Sequence, residues 1–207
     1  NAGKIYLVLG SSLDSLSSNN VSLADYFFIG EEVNDYLGDA LSVVGDVDGD
    51  GLSDIVMGSY NNDDGGTSAG KVYVVLGSSL SSSSSIQISQ ADYSFVGENG
   101  GDWLGSALSS AGDVDGDGLD DILIGAPHND DGGGLSGKTY LVLASSLDPA
   151  LPNNLSQIAY SSNGKSYDDR FGSFVSGGGD INGDGFDDIL IVAPNETFFN
   201  ETESGAL

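Results

Sequence analysis

The chain has 207 residues, and its 32 acidic residues against five Lys and Arg give a formal net charge of −27. This excess of negative charge repels phosphate backbones and anionic membranes, so it argues against nucleic-acid binding and makes metal cations natural partners. There is no cysteine for disulfides or thiolate chemistry, and no run of about 18 apolar residues that would predict membrane insertion.

One sequence unit recurs at an interval of 67 residues. The segments GKIYLVLG (3–10), GKVYVVLG (70–77) and GKTYLVLA (137–144) align without a gap, and Ser-Ser-Leu follows each of them. Further columns match over essentially the whole chain. The chain is therefore an array of structural repeats, and its organisation is counted in repeats rather than in globular domains.

The predicted elements are short strands throughout. Residues 1–34 supply the last two strands of one unit, 35–101 and 102–168 are complete units, and 169–207 begin a further unit. The segments are 5–8 residues long and rich in Val, Ile, Leu, Tyr and Phe, without a capped helical period. In the first complete unit the strands are Leu37–Val44, Asp54–Gly58, Lys71–Leu76 and Tyr93–Gly97. The last unit offers Phe171–Ser176, Asp188–Val192 and the start of a third strand at Glu203–Leu207.

Four strands per unit predict an all-β fold, a β-propeller of four-stranded blades. A parallel β-helix would use shorter coils, and tandem β-sandwiches need about 100 residues each. About three blade-equivalents cannot close a ring of 4–8 blades. We therefore expect either an excerpt of a longer chain, since the last residues start a strand that they do not finish, or end-to-end self-assembly in which copies complete each other's split blade by strand pairing.

Each unit contains one acidic loop, at residues 46–54, 113–121 and 180–188. Oxygen-bearing side chains fall at relative positions 1, 3, 5 and 9, a glycine at position 6 allows a sharp turn, and position 7 offers its carbonyl. A hard cation with six to eight oxygen ligands needs such a loop. We predict three Ca²⁺ sites, with the ligands Asp46, Asp48, Asp50, Leu52 and Asp54; Asp113, Asp115, Asp117, Leu119 and Asp121; and Asp180, Asn182, Asp184, Phe186 and Asp188.

Two other interpretations of the loops are weaker. An EF-hand requires a bidentate Glu at position 12 and flanking helices, whereas position 12 is Met57, Ile124 and Ile191. A plain acidic hairpin is the second alternative, since Asp-Gly is a common turn. Four carboxylates within nine residues would repel one another without a cation, so calcium binding is favoured.

The loops and their flanks resemble the FG-GAP repeat of integrin α-subunit propellers, of related bacterial surface proteins and of glycosylphosphatidylinositol-specific phospholipase D. Leu104-Gly105 with Gly125-Ala126-Pro127, and Phe171-Gly172 with Ala193-Pro194, carry the signature; the first copy departs from it at Leu37-Gly38 and Gly58-Ser59. The resemblance implies a ring of seven blades with calcium between the first two strands of a blade. For integrins it also implies ligand binding on the face opposite the calcium loops.

That ligand-binding function is not carried over, because it depends on a partner subunit and on loops that have no match here. The absence of cysteine favours a bacterial, archaeal or algal surface protein over an animal integrin. Lys4, Lys71 and Lys138 share one column, so we expect them to be structural, either blunting the blade edge or pairing with nearby acids.

Residues that differ between repeats are the candidates for function. Trp103 replaces Tyr36 and Arg170 in its column, and it is expected either to stack on a sugar or to pack between blades. His128 is the only histidine, so neither a nucleophile–base pair nor a zinc site is predicted. Four sequons are glycosylation candidates, namely Asn20, Asn154, Asn195 and Asn200.

We expect a non-catalytic, extracellular or cell-surface calcium-binding propeller segment that supports adhesion or builds a surface filament, with a protein or glycan ligand. One alternative is an accessory module of a secreted hydrolase or lyase. Another is a lectin-like, carbohydrate-binding propeller.

Overall fold

The computed structural model describes residues 2–13, 24–81, 84–148 and 155–197. Its strands are, in chain order, β1 (Lys4–Leu7), β2 (Tyr26–Ile29), β3 (Leu41–Gly45), β4 (Asp54–Ser59), β5 (Lys71–Val75), β6 (Ser85–Gln87), β7 (Tyr93–Val96), β8 (Ala107–Gly112), β9 (Asp121–Ala126), β10 (Lys138–Val142), β11 (Ala159–Asn163), β12 (Phe174–Ser176) and β13 (Leu190–Val192). A one-turn α-helix, α1 (Leu155–Ile158), and short 3₁₀ turns at Gly77–Ser81, Ile88–Gln90 and Ala144–Ser146 lie between strands.

Two complete four-stranded sheets form the centre of the molecule. Their hydrogen-bonded orders are β3-β4-β5-β7 and β8-β9-β10-β11, with every pair antiparallel. β12 and β13 form a two-stranded antiparallel sheet, and β1 pairs with β2 in the same way. The prediction of an all-β propeller built of four-stranded blades is confirmed.

Several strand limits differ from those predicted. The first strand of the first complete sheet begins at Leu41 rather than Leu37, because Tyr36 (φ 57°) and Gly38 (φ 95°) adopt left-handed conformations that form a turn. In the last unit the strands also begin later than predicted: β12 begins at Phe174 rather than Phe171, and β13 begins at Leu190 rather than Asp188. Helix α1 was not predicted from the sequence. The expected strand at Glu203–Leu207 lies outside the described residues.

β6 is an additional strand that the sequence did not indicate. It lies in the connection between the third and fourth strands of its own sheet, yet it pairs in parallel with β2 of the preceding unit. The register joins Phe27 to Ser85 and Ile29 to Gln87. One unit thus extends the outer edge of the unit before it.

The hydrophobic core lies between neighbouring sheets. Val56, Val72 and Phe95 of the first complete sheet belong to one buried cluster with Ile122 and Ile124 of the second. β4, β5, β9 and β10 are almost entirely buried. A single blade cannot cover both of its faces, so each blade depends on its neighbours for burial.

The connections of each sheet divide between two ends. The acidic loops join first strands to second strands, and third strands turn into fourth strands at this same end, which we call the acidic end. The second-to-third connections and the links between sheets lie at the other end, which we call the variable end. Among the described residues, no helix reaches the length and hydrophobicity that a membrane crossing requires.

Candidate functional site: acidic loops and a groove at the opposite end

The aspartate at position 1 organises each acidic loop. Asp46 Oδ1 accepts hydrogen bonds from the backbone N–H groups of Gly49 (2.7 Å) and Asp50 (3.1 Å), and Oδ2 accepts one from Gly51 (2.8 Å). Gly49 and Gly51 have φ values of 78° and 87°, which favour glycine. Asp113 and Asp180 accept the equivalent three bonds. The same curl is therefore built three times.

These amide donors also lower the pKa of two position-1 carboxylates, those of Asp46 and Asp180. Burial alone would raise the pKa of Asp46, but the N–H groups of Gly51, Gly49 and Asp50 outweigh it and lower the pKa below its ordinary value. The amides of Gly185 and Gly183 lower the pKa of Asp180. Both carboxylates are ionised at neutral pH, which is the form that binds a cation.

The structure brings the carboxylates of positions 1, 3 and 5 together. In the first loop, ligand atoms of Asp46, Asp48 and Asp50 lie within 4.8 Å of one another, and Asp113, Asp115 and Asp117 form the same cluster in the second loop. An all-oxygen set suits a hard divalent cation. In the third loop Asn182 provides an amide in place of the middle carboxylate.

The carboxylate at position 9 makes a separate set of hydrogen bonds. Asp54 is fully buried, where Oδ2 accepts the N–H of Val47 (2.8 Å) and Oδ1 that of Gly77 (2.8 Å). Asp121 is held equivalently by Val114 and Ala144. Burial raises the pKa of both carboxyl groups. Position 9 thus ties its loop to the neighbouring turn, and its spare lone pairs are compatible with metal binding.

Two lysines of the shared column, Lys71 and Lys138, have buried side chains that form ion clusters at the variable end. Lys71 Nζ lies 2.8 Å from Asp64 and 3.0 Å from Glu31, and Tyr73 donates its hydroxyl hydrogen to Glu31. The second copy repeats this arrangement with Lys138, Asp131, Glu98 and Tyr140. Lys4 lies over the ring of Phe27, 3.8 Å from its centroid. The prediction that the lysines pair with nearby acids is confirmed for Lys71 and Lys138.

Trp103 belongs to a row of rings at the variable end. Its ring is stacked on His128, with centroids 3.6 Å apart, and meets Tyr60 edge-on at 5.4 Å. Tyr60 in turn stacks on Tyr36 at 5.9 Å. The row joins residues of two repeats, so it favours packing between blades over sugar stacking as the role of Trp103.

A groove of about 440 Å³ lies beside this row. Its lining includes Trp103, Ser106, His128, Arg170 and Asn195. Ser106 Oγ is buried, and it has no hydrogen-bond partner within the described part of the chain. Burial lowers the pKa of His128, and the charge of Arg170 lowers it further, so the imidazole is neutral at pH 7. The groove is thus a mixed aromatic and polar surface.

The glycosylation candidates fall in different places. Asn195 is exposed at the groove, and its amide lies 3.4 Å from Asp168 Oδ2. Asn20, Asn154 and Asn200 lie outside the described residues. Glycosylation stays a prediction for all four sequons.

A column of buried aspartates, which was not predicted from the sequence, holds the loops of the variable end. Asp35 and Asp102 accept the side-chain N–H of Asn62 and Asn129, each at 2.9 Å. Asp169 accepts the backbone N–H groups of the two residues that begin its own turn. The available signal was that the three aspartates recur at the interval of the repeat.

Comparisons with known proteins agree with this architecture. A family model described as FG-GAP repeat matches residues 37–75, 104–142 and 171–207. The chain is similar to integrin alpha-PS2 from Drosophila melanogaster, with 31% identity over 193 residues (89% of this chain and 13% of the relative). It is also similar to integrin alpha-5 from Xenopus laevis, with 29% identity over 198 residues (92% and 17%), and to integrin alpha-V from Gallus gallus, with 34% identity over 159 residues (77% and 14%). The chain spans less than a fifth of the length of these relatives.

Proposed function

The chain belongs to the FG-GAP repeat family, and on that basis we propose that it is a non-catalytic, calcium-binding segment of an extracellular β-propeller that supports adhesion. The observation that carries this proposal is the pair of three-carboxylate clusters, each within 4.8 Å. Their loops are already curled by amide bonds to the position-1 aspartate, so little rearrangement opposes binding.

Calcium fits the loops better than magnesium does. Ca²⁺ accepts six to eight oxygens in a flexible geometry, whereas Mg²⁺ demands a near-ideal octahedron and keeps several waters. We assign the side chains of positions 1, 3, 5 and 9 and the carbonyl of position 7 as the ligands in each loop. The bound cation would neutralise the crowded carboxylates. The third loop has one carboxylate fewer because of Asn182, so it should bind calcium most weakly.

A Ca²⁺ titration by calorimetry tests this assignment. The wild-type chain should bind three ions, and Asp113→Ala with Asp117→Ala should remove one of them. A matched control replaces Glu32 and Asp39, two exposed acids outside the loops, so it changes the net charge equally and should leave three ions bound. Binding of no calcium by the wild type, or an unchanged stoichiometry in the loop variant, would refute the proposal.

The groove at the variable end is our candidate for the partner surface. The second-to-third connections and the links between sheets supply most of its lining, so it faces away from the acidic loops. The similar proteins are integrins by name, which supports a role in adhesion at a cell surface with a protein or glycan ligand. His128 stacks on Trp103, an arrangement that suits packing rather than catalysis.

A carbohydrate-binding function is the second candidate. The groove presents the rings of Tyr60 and Trp103 beside Arg170 and Asn195, a combination of aromatic faces and polar groups that suits a sugar ring. A glycan array distinguishes this function: binding that is lost in Arg170→Ala but kept in Lys165→Ala, which removes the same charge outside the groove lining, would establish it. Absence of binding to any glycan would leave a protein as the partner. Strand pairing between copies stays a prediction.

A further inference from the structure

Neighbouring acidic loops are joined by a reciprocal pair of hydrogen bonds. The backbone N–H of Asp46 donates to Asp120 Oδ2 (3.0 Å), and the N–H of Asp120 donates to the carbonyl of Asp46 (3.0 Å). Asp113 and Asp187 form the same pair, with both distances at 3.1 Å. In each case position 8 of one loop holds position 1 of the preceding loop.

The chain is shaped to admit this contact. Gly45, with φ 77°, directly precedes Asp46, and a side chain at Gly45 would collide with the carboxylate of Asp120. Gly112 (φ 73°) has the same relation to Asp187. The two glycines therefore make room for a carboxylate from the next blade.

The position-7 side chains strengthen the junction. A side chain at Gly49 would lie 3.3 Å from Leu119, and one at Gly116 would lie 2.9 Å from Phe186. Leu119 and Phe186 thus cover the position-4 glycine of the preceding loop. Positions 7 and 8 both face backward along the array.

We infer that Asp120 and Asp187 are positioning residues for the calcium sites of the preceding blades, so that metal binding in one blade depends on the docking of the next. The inference rests on the proposed calcium binding. Asp46 anchors the whole curl of its loop, and Asp120 fixes the backbone of Asp46 and brings a further negative charge beside the carboxylate cluster. Groups that orient a metal ligand in this way typically change metal affinity by about 10–100-fold when they are removed.

The test measures the first site alone. Asp115→Ala, Asp117→Ala, Asp180→Ala and Asp184→Ala together disable the second and third loops but leave Asp113 to hold the curl that presents Asp120, and the remaining site is titrated with Ca²⁺ by calorimetry. Adding Asp120→Ala should weaken this site by about tenfold. Asp120→Asn keeps an acceptor oxygen but loses the charge, so its smaller effect separates the hydrogen bond from the charge.

Two further variants serve as controls. Asp187→Ala removes the same charge from the same column but contacts the second loop, so it should leave the first site unchanged. Asp120→Ser introduces a serine, the residue type that the first copy carries in this column at Ser53. It replaces Asp120→Ala in the experiment if the alanine variant does not fold, and it should also weaken the first site. Circular dichroism in saturating Ca²⁺ verifies the fold of each protein.

The outcomes separate the two proposals. If the four-substitution background binds no calcium, the ligand assignment of the first loop fails. If it binds calcium and Asp120→Ala changes nothing, the positioning role is wrong. Equal weakening by Asp187→Ala would also overturn it, because the effect would then come from net charge rather than from contact.

Discussion

The two ends of the blades follow the same 67-residue repeat but use it differently. At the acidic end, Asp46, Asp113 and Asp180 occupy one column and accept the same three backbone hydrogen bonds in every copy. At the variable end, one column carries Tyr36, Trp103 and Arg170. Another column there carries an asparagine, a histidine and an asparagine, at positions 61, 128 and 195.

At the variable end, the backbone conformation is the same in every copy although the residue type changes. Tyr36, Trp103 and Arg170 have φ values of 57°, 59° and 54°, so the chain turns identically in all three copies. Left-handed backbone is uncommon for such residues and costs energy. All three copies keep this turn while the side chain on it changes. The side chains that distinguish one blade from another therefore lie at the variable end.

Removal of calcium should have the largest effect on stability, and it tests whether the acidic end is uniform because it binds metal. A ligand present at 100 times its Kd stabilises a protein by about 2.7 kcal/mol per site, so we expect a chelator to lower the Tm markedly. Thermal melts in Ca²⁺ and in chelator measure this shift. An unchanged Tm would mean that the acidic end is stable without metal and that its uniformity has another cause.

The buried lysines test whether the variable end also contains shared scaffold. Lys138→Met should destabilise the protein by about 2 kcal/mol, because it leaves Glu98 and Asp131 unpaired; fully buried pairs cost about 3–5 kcal/mol, but the Asp131 side chain is 41% exposed. Chemical denaturation measures the change. Lys165→Met is the control, since its side chain is 83% exposed and surface pairs contribute less than about 1 kcal/mol. Equal effects of the two substitutions would contradict the scaffold role.

Alkaline pH should weaken the same clusters. Burial and the charge of Glu31 raise the pKa of Tyr73, and burial and Glu98 raise that of Tyr140. Because the folded pKa exceeds the unfolded value, this contribution is complete below about pH 10 and is lost as the pH rises further. Urea unfolding between pH 8 and 11 should show falling stability. Tyr140→Phe should reduce the slope of the free energy of unfolding against pH. An identical slope in this variant would refute the contribution of Tyr140 to the pH dependence.

The smallest expected effect concerns the aromatic row. Trp103→Ala removes a stacked pair, and aromatic pairs contribute about 0.5–1.5 kcal/mol beyond burial, so we expect a modest loss of stability. Calcium affinity should not change, because the acidic loops lie at the other end. Denaturation and calorimetry on the same variant check both statements. A change in calcium affinity would show that the two ends are coupled.

The sequence predicted regular features well because they repeat. The Asp-x-Asp-x-Asp-Gly spacing indicated which carboxylates would meet, and the strand segments near Asp54 and Lys71 begin where they were expected. The predicted start of a strand at Leu37 is wrong, since β3 begins at Leu41. The turn made by Tyr36 and Gly38 depends on backbone conformation, which residue types at those positions did not reveal.

Contacts between blades could not be predicted from the sequence. Asp120 lies 74 positions from Asp46, and a further aspartate in an acidic loop carries no sign of its partner. Trp103 and His128 are likewise brought together only by the docking of loops. β6 lies at the end of a serine-rich segment and forms because the edge of β2 is available. In each case the partner is set by tertiary packing rather than by local pattern.

The pairing of β6 with β2 affects the tendency of the protein to aggregate through its sheet edges. The outer strand of a sheet exposes N–H and C=O groups that recruit strands from other molecules and so promote aggregation. β6 occupies that row of groups at Phe27–Ile29 with chain from the following repeat. In the order β1-β2-β6 the outermost strand is β6, so a strand from another molecule would meet a strand of only three residues, and short edge strands are one way in which proteins limit such pairing.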